Sequence, residues 1–419
     1  MLARMITTTA HAPNLLWERR ALRGFIVLRA ADELASQMLN VGLGWYVYAA
    51  TNDPLSLAYV GLAQFLPNIG LSLIAGHVAD RFDRRQIVGL SLLIQSLCLA
   101  AFGVWSVAAP PSAGPVYLLL LVIGSARSFF SPSMSAMLPH VVNEEELPRA
   151  VAATSSAFQI CTIVGPAIGG IVYAVSGPAM FAAAAGLYGL AIAQTYRLKI
   201  KHCRVGDQES HMTDKSVLAG VRFIRSSRLL FGLISLDLFA VLLGGVTALL
   251  PIYAKDILVV GPIGLGCLRC APGAGAAVVG FALTHRPIER GAGRLMLLCV
   301  AGFGIATIVF ALSVNFWLSL VALVAAGGLD MVSMVIRQTL VQLSTPDAMR
   351  GRVSAVNWIF IGASSELGEF ESGLAAAVFG TVPAAVLGGL GTLAVVALWT
   401  GLFPELRRAD RLSVQSSPG

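Results

Sequence analysis

Twelve long apolar stretches, separated by short polar connections, occupy most of this 419-residue chain. Each stretch is long enough to cross a bilayer as a helix, which takes about 20 residues. The pattern therefore predicts an all-α integral membrane protein with twelve transmembrane helices. The predicted helices lie at roughly 22–50, 55–79, 86–109, 115–140, 149–174, 178–196, 229–254, 261–284, 295–313, 316–344, 353–379 and 383–403.

The longest hydrophilic interval, at about 197–228, separates the stretches into two groups of six. It contains charged and polar residues without a clear core pattern, so we interpret it as a linker. The predicted organisation is an N-terminal tail, a six-helix bundle, the linker, a second six-helix bundle and a C-terminal tail. These five regions cover residues 1–21, 22–196, 197–228, 229–403 and 404–419.

The two groups of helices resemble each other in the placement of one acid. Arg23 precedes Asp32 by nine residues in the first span, and Arg228 precedes Asp237 by nine residues in the seventh. Nine helical residues rise roughly 13 Å, which places both acids near the middle of a hydrocarbon layer about 30 Å thick. A repeat of six helices is typical of secondary transporters, whose sites lie at the midplane between the halves.

Basic residues are strongly biased to one side of the predicted membrane. Of the 29 lysines and arginines, 24 fall in alternate connections or tails, and only Lys255 falls on the opposite side. Cytoplasmic loops carry the excess of lysine and arginine in membrane proteins. Both termini are therefore predicted to be cytoplasmic.

Composition supports a membrane environment and excludes several functions. With 56% hydrophobic and 12% charged residues, the chain has more apolar surface than a water-soluble core can hide. The net charge of +7 is spread along loops, so membrane lipids rather than nucleic acid are the expected partners. The sequence shows no phosphate-binding loop and no paired nucleophile and base. We therefore predict neither an enzyme nor a cofactor or metal site.

Charged residues inside predicted spans are the main candidates for function. Each costs at least about 2.5 kcal/mol at the bilayer centre, so each is expected to face a partner or water rather than lipid. Two interpretations stay open: static ion pairs that hold helices together, or acids that titrate during a transport cycle. The charged residues in spans 1, 4, 7 and 10 are Arg29, Asp32, Glu33, Arg127, Asp237, Asp330 and Arg337.

Span 11 carries a second group of acids. Glu366 and Glu369 share one face of the predicted helix. They could bind a cation or protons, or they could pair with Arg269 or Arg337. The sequence favours neither possibility.

Two motifs resemble those of a known superfamily. The segment from Gly76 to Arg85, GHVADRFDRR, resembles the GxxxDRxGRR signature of the major facilitator superfamily, with Asp83 at the second glycine. In span 5, Gly165, Pro166, Gly169 and Gly170 resemble the GPxxGG motif of its exporter branch. The chain as a whole resembles the enterobactin-exporter-like, drug-proton antiporter branch. This resemblance implies a major facilitator fold with two pseudo-symmetric six-helix bundles in a bacterial inner membrane.

The first motif is interpreted as a conformational latch. Gly76 permits close helix approach, and Asp80 can face the N-terminal end of a neighbouring helix. The three arginines, Arg81, Arg84 and Arg85, either lie among lipid head groups or pair with acids across the halves. Alternatively, they only set the topology.

The span 5 motif has two possible roles. Gly165 and Gly169 form a packing face, and Pro166 can kink the helix. Generic helix packing is the other interpretation.

The leading hypothesis is a monomeric, proton-coupled exporter of a small amphipathic compound, such as a drug-like molecule or siderophore. Asp32, Glu33, Asp237 and Asp330 are its candidate binding groups for protons or substrate, with arginines as counter-charges. One alternative is a proton-coupled importer of an organic acid, sugar or peptide, in which Arg127 and Arg337 clamp a carboxylate. A remote alternative is a non-transporting membrane receptor or membrane enzyme.

Overall fold

Helices account for all of the described secondary structure. The computed structural model describes residues 20–143, 146–198, 214–286, 288 and 291–408. The N-terminal half consists of α1 (Arg20–Thr51), α2 (Pro54–Arg81), α3 (Arg84–Ala108), α4 (Gly114–Val141), α5 (Leu147–Val175) and α6 (Gly177–Arg197). A shorter helix, α7 (Asp214–Ser226), follows. The C-terminal half consists of α8 (Arg228–Gly244), α9 (Gly261–His285), α10 (Ala292–Leu312), α11 (Phe316–Leu343), α12 (Asp347–Phe379) and α13 (Thr381–Leu402), and ends with the short α14 (Pro404–Arg408).

Helix α8 extends beyond its regular part through segments of different pitch. A 3-10 segment, Val246–Leu249, leads into Leu250–Ile252 and then into a π-helical segment, Tyr253–Ile257. With this extension the seventh span reaches 30 residues. The twelve long helices confirm the predicted all-α membrane fold.

Nine helices are apolar enough to cross a membrane by length and composition, within the residues that the structure describes. The other three long helices are α1, α2 and α12. Helices α1 and α12 carry in-span acids, which lower the hydropathy of these two helices. Polar residues on a spanning helix are expected to face the protein interior rather than lipid.

Short connections place capping residues at several helix starts. Asp83, which occupies a glycine position in the resembled motif, accepts a hydrogen bond from the Arg85 backbone N–H at 2.9 Å. Asn315 accepts from the backbone N–H groups of Trp317 and Leu318 at 2.9 and 3.2 Å. Such caps satisfy donors that a helix start leaves unpaired. The aspartate at position 83 therefore ends the loop by starting α3.

The two halves pack internally in similar ways and meet along two helix pairs. In the N-terminal half α1 packs on α5 and α6, while in the C-terminal half α8 packs on α12 and α13. Between the halves, α2 packs against α12 and α5 packs against α9. When each helix is matched to the one six spans later, α2 corresponds to α9 and α5 corresponds to α12. The α2–α12 contact is then equivalent to the α5–α9 contact, so the halves are related by pseudo-symmetry.

Close contacts between the halves lie toward one end of the molecule. We call the end where α1 meets α2 and α8 meets α9 the far end, and the end that carries α7 the linker end. A β-carbon at Gly170 would lie 2.5 Å from the Pro262 carbonyl oxygen, and one at Gly373 would lie 2.7 Å from the Ala58 backbone nitrogen. Both positions are in the far half of their helices. The absence of a side chain there lets the backbones meet.

Helix α7 corrects the expectation that the linker lacks a core pattern. Its Ile224 is buried, and a β-carbon at Gly220 would lie 2.9 Å from the Arg352 carbonyl oxygen on α12. Arg222 and Arg225 are exposed on its other side. The helix is amphipathic but only 13 residues long, and it lies within a charged interval. A search for long apolar membrane spans therefore does not detect it.

Candidate functional site

Two acids of α1 are buried among neighbours from α4 and α5. Asp32 and Glu33 are adjacent in sequence and are 2% and 4% exposed. Glu33 Oε1 accepts hydrogen bonds from Gln37 Nε2 at 2.7 Å and from Thr162 Oγ1 at 2.9 Å. Neutral donors therefore satisfy this carboxylate.

Asp32 has a different environment from Glu33. The guanidinium of Arg127, from α4, attracts Asp32 more strongly than that of Arg29, but the described hydrogen bond of Arg127 goes to Ser36 Oγ at 2.5 Å. Asp32 Oδ1 is buried without a hydrogen-bond partner among the described residues. A buried carboxylate oxygen without a donor is costly when ionised, so this oxygen is a natural place for a proton.

Arg29, predicted as a counter-charge, lies over an aromatic ring. Its Cζ atom is 4.7 Å from the centroid of Phe158 on α5. This cation–π contact joins α1 and α5 near the acids. The N-terminal half thus gathers Arg29, Asp32, Glu33 and Arg127 into one cluster.

The corresponding acid in the C-terminal half forms a direct ion pair. Asp237 Oδ1 contacts Arg337 Nη1, which joins α8 to α11, and both side chains are buried. Within the described part of the chain, Arg337 is therefore paired with Asp237, and no ion pair joins it to an acid of span 11. A buried pair of this kind is strongly destabilised when one partner is removed.

Asp330 faces the interior but remains accessible. At about 100° per residue it lies about 180° around α11 from Val321 and within roughly 20° of Arg337. Val321 and Trp317, on the opposite side, are 63% and 70% exposed and form the outer surface. Asp330 is nevertheless exposed. It therefore borders space inside the molecule, and the described residues provide no ion-pair partner for it.

A small cavity lies where the two halves meet. Its volume is about 50 Å³, and its polar lining consists of Asn40, Gln64, Arg269 and Glu369. Glu369 on α12 and Arg269 on α9 attract each other as opposite charges and line the same cavity. The sequence offered Arg269 and Arg337 as partners for the acids of span 11, and Glu369 therefore faces Arg269. Glu366 is half-buried one turn earlier.

The sequence patterns did not identify most of the polar residues of this cavity. Arg269 was recognised only as one possible partner of span 11, and Asn40 and Gln64 carried no signal of their own. Their convergence depends on the rotation of four helices. The in-span charge of Arg269 was the one usable clue.

The loop motif is only partly described. The surroundings of Gly76 and the side chain of Asp80 lie outside the described part, and Arg81 is exposed. Arg84 Nη1 donates to the Ala136 carbonyl oxygen at 3.2 Å, and Arg85 Nε donates to the Thr195 carbonyl oxygen at 2.9 Å. These two contacts attach the loop to α4 and α6, within its own half.

The span 5 motif lies between α1 and the opposite half. A β-carbon at Gly165 would lie 2.6 Å from Gln37 Cβ, and one at Gly169 would lie 2.8 Å from Met38 Cα. Gly170 faces α9, and the Pro166 carbonyl lies against Gly266. The motif thus lets α5 approach α1 and the second half together.

Polar contacts also connect the halves at the far end. The Tyr48 hydroxyl donates to Asp256 Oδ2, and Lys255 Nζ donates to Asn52 Oδ1. The same Lys255 Nζ lies 5.2 Å from the centroid of the Tyr48 ring. The π-helical segment supplies both charged residues. In this conformation α1 and the end of span 7 are joined across the halves.

Comparison with known families shows which class of membrane protein has this architecture. The family described as transmembrane secretion effector, within the major facilitator superfamily, matches residues 17–418. The chain belongs to this family. It is therefore a multi-pass membrane transporter of the major facilitator superfamily, as the motifs implied.

Individual relatives agree with this family assignment. The chain is 29% identical over 412 residues to the enterobactin exporter EntS of Escherichia coli and to that of Escherichia fergusonii, with 94% of each chain covered. Among solved structures it is similar to a variant of the nucleoside transporter NupG, with TM-score 0.73, 12% identity and coverage of 91% of this chain and 100% of that one. A bacterial homologue of the human lysosomal transporter Spinster gives TM-score 0.71, 12% identity and coverage of 93% and 96%. The structural likeness concerns the fold.

Proposed function

We propose that this transporter is a proton-coupled exporter of a small amphipathic compound, such as a drug-like molecule or siderophore. The proposal rests on one observation: each half buries acids on its first helix, Asp32 and Glu33 in one and Asp237 in the other, and a cavity with charged lining lies between the two bundles. The enterobactin exporters among its relatives support outward transport. We place it in a bacterial inner membrane with the linker end and both termini cytoplasmic, because the basic residues gather there.

Energetically, one proton is sufficient for useful export. A charge crossing the membrane releases about 2.3 kcal/mol per 100 mV, and a tenfold concentration ratio costs about 1.4 kcal/mol. At 100 mV, the entry of one proton coupled to the exit of one neutral compound therefore sustains roughly fiftyfold accumulation of the compound outside.

Asp32 and Asp330 are our proposed proton carriers. Asp32 has an oxygen without a donor, and Asp330 is an accessible carboxylate on an interior helix face. The Asp237–Arg337 pair and Arg127 serve as fixed counter-charges. Protonation of either carrier changes the charge of the interior, which alters the balance between two bundle arrangements.

The far-end contacts act as the outer gate in this proposal. Tyr48 and Lys255 connect the halves, so outward opening must break both of their polar contacts. On the cytoplasmic side, Arg84 and Arg85 fasten the loop motif to its own half, which lets that half move as one body. The two bundles then rock about α2–α12 and α5–α9.

A test of the gate measures the distance across the far end. Spin labels at Ala50 and Leu258 report the separation of α1 and the end of span 7. Tyr48→Phe removes the hydrogen bond to Asp256 and should increase the long-distance population about tenfold, since one such bond is worth about 1.5 kcal/mol. Tyr117→Phe, whose hydroxyl bonds within the N-terminal half at 3.2 Å, is the matched control.

The decisive experiment uses purified protein in liposomes with an imposed pH gradient. Efflux of a lipophilic fluorescent dye should follow the gradient, and Asp32→Asn together with Asp330→Asn should weaken that dependence. Arg228→Gln, at a surface ion pair with Glu405, is the control and should leave it unchanged. Unaltered pH coupling in every acid variant would reject the mechanism.

Import of an organic acid is less well supported. That alternative uses Arg127 and Arg337 as a clamp for a substrate carboxylate. Arg337 is already bound by Asp237, so it has less capacity for a second carboxylate. Growth on a carboxylate nutrient that depends on this chain would nevertheless favour uptake.

A further inference from the structure

The cavity between the halves is small, polar and shared by both bundles. Asn40 and Gln64 line it from α1 and α2, and Arg269 and Glu369 line it from α9 and α12. Its apolar walls include Leu43, Leu57 and Val60. Pockets that hold a drug-sized ligand measure about 300–1,000 Å³, so a cavity of about 50 Å³ accepts one functional group rather than a whole compound.

The charges of this cavity balance. Arg269 and Glu369 carry opposite charges, and the two amides each offer donors and an acceptor. Arg269 Nε is buried and has no hydrogen-bond acceptor among the described residues. A ligand group with a full charge would leave the cavity with an unbalanced charge, which is costly away from water. An uncharged group that both donates and accepts satisfies these side chains at the lowest cost.

We propose that this cavity is the polar subsite for the transported compound and that it takes an uncharged hydroxyl-bearing or amide-bearing group. The group accepts from Arg269 and donates to Glu369, while Asn40 and Gln64 complete its hydrogen bonds. This inference rests on the proposed exporter function and adds a substrate class to it. A proton on Glu369 removes the charge that balances Arg269 and turns one carboxylate oxygen into a donor, which weakens the site for a donating group. Proton and compound therefore compete for the cavity, as antiport requires.

The position of the cavity ties it to the movement of the halves. A β-carbon at Gly61, on α2, would lie 3.2 Å from Glu369 Cβ on α12. One at Gly44, on α1, would lie 3.2 Å from Pro251 Cγ and 3.8 Å from Arg269 Nη2. These glycines bring the bundles together around the charged pair. Separation of the bundles therefore opens the same cavity that their contact closes.

The test compares three conjugates of one fluorescent aryl scaffold, which carry a vicinal diol, a carboxylate or an ammonium group. Binding to the full-length protein in nanodiscs is followed by fluorescence anisotropy. The unaltered protein should bind the diol about tenfold more tightly than either charged conjugate, because one unbalanced buried charge costs at least that much. Glu369→Gln should shift preference toward the carboxylate, and Arg269→Gln should shift it toward the ammonium.

Two further variants keep the test informative if a single substitution prevents folding. The double variant Arg269→Gln with Glu369→Gln carries no unpaired charge, and it should still reject charged conjugates while binding the diol about tenfold more weakly. Gly44→Ala narrows the cavity beside Arg269 and should also weaken diol binding. Gly186→Ala, at a position with nothing within 4 Å, is the matched control and should not.

Several results would overturn the subsite. These are absent diol binding, tighter binding of a charged conjugate to the unaltered protein, and preferences that ignore both charged residues. Flux is measured separately in liposomes. If gradient-driven diol flux ignores Arg269 and Glu369, the exporter stands and the subsite fails; if the preferences shift without flux, the subsite stands and the exporter fails.

Discussion

The two halves of this transporter carry an acid at equivalent positions, but the neighbours of the two acids differ. Asp32 and Asp237 each follow a basic residue by nine positions in the first helix of their half. Asp237 contacts Arg337 directly. Asp32 lies near Arg127, whose described hydrogen bond goes to Ser36 instead.

The difference arises from where each half carries its arginine. Arg127 precedes Arg149 by 22 residues, as Asp330 precedes Arg352, so Arg127 and Asp330 occupy equivalent positions. Arg337 lies seven residues, or about two turns, further along its helix. The C-terminal half therefore has a closed ion pair and a separate acid, whereas the N-terminal half has one mixed cluster. Equal spacing from the start of the first helix does not give equal chemistry.

The largest expected effect breaks the closed pair. Arg337→Gln leaves Asp237 buried without its counter-charge and should lower the free energy of unfolding by about 3–5 kcal/mol. Unfolding is followed by circular dichroism during titration with sodium dodecyl sulfate. Arg228→Gln, at a 3.6 Å ion pair in which Arg228 is 74% exposed, should cost about 0–1 kcal/mol.

A double variant checks the cause of that loss. Adding Asp237→Asn to Arg337→Gln removes the unpaired charge and should recover most of the stability. If the double variant is no more stable than the single one, packing rather than charge explains the loss.

In the N-terminal cluster the same type of change should cost less. Arg127→Gln removes one charged hydrogen bond to Ser36, worth about 2 kcal/mol, while Asp32 keeps Arg29 as an opposite charge and Glu33 keeps its donors. The same titration measures it. A loss as large as that of Arg337→Gln would abolish the contrast between the halves.

A smaller effect isolates the neutral donors that are particular to the N-terminal cluster. Thr162→Val removes the hydroxyl that donates to Glu33 and should lower the free energy of unfolding by about 1 kcal/mol. Thr154→Val, on the same helix, is the control because the Thr154 hydroxyl bonds to the α5 carbonyls of Ala150 and Val151. Equal losses would show that Glu33 gains nothing from Thr162.

The smallest effect on stability is expected at the separate acid of the C-terminal half. Asp330→Asn should change the free energy of unfolding by less than about 0.5 kcal/mol, because Asp330 is accessible and has no described ion pair. Its gradient-driven dye efflux in liposomes should nevertheless fall. Full efflux in Asp330→Asn would remove this residue from the proton path and leave Asp32 as the carrier.

The sequence predicted the long membrane helices but not the short helical segments between them. The predicted spans agree with the twelve long helices, because each span must satisfy its own backbone hydrogen bonds in hydrocarbon and so carries its own apolar signal. The short helix α7 and the π-helical segment Tyr253–Ile257 were not anticipated. Both are short, and both depend on contacts with other helices: Gly220 meets Arg352, and Lys255 meets Asn52.

By itself the sequence determined the number of spans, and it predicts the division into halves and the depth of Asp32 and Asp237, since these follow from hydropathy and helical rise along one chain. Only the tertiary structure decided that Arg337 binds Asp237, that Glu369 faces Arg269 and that Asn40 and Gln64 join them. Each of these contacts joins side chains of different helices. The rotation and crossing of packed helices set such contacts, and periodicity within one helix does not specify either.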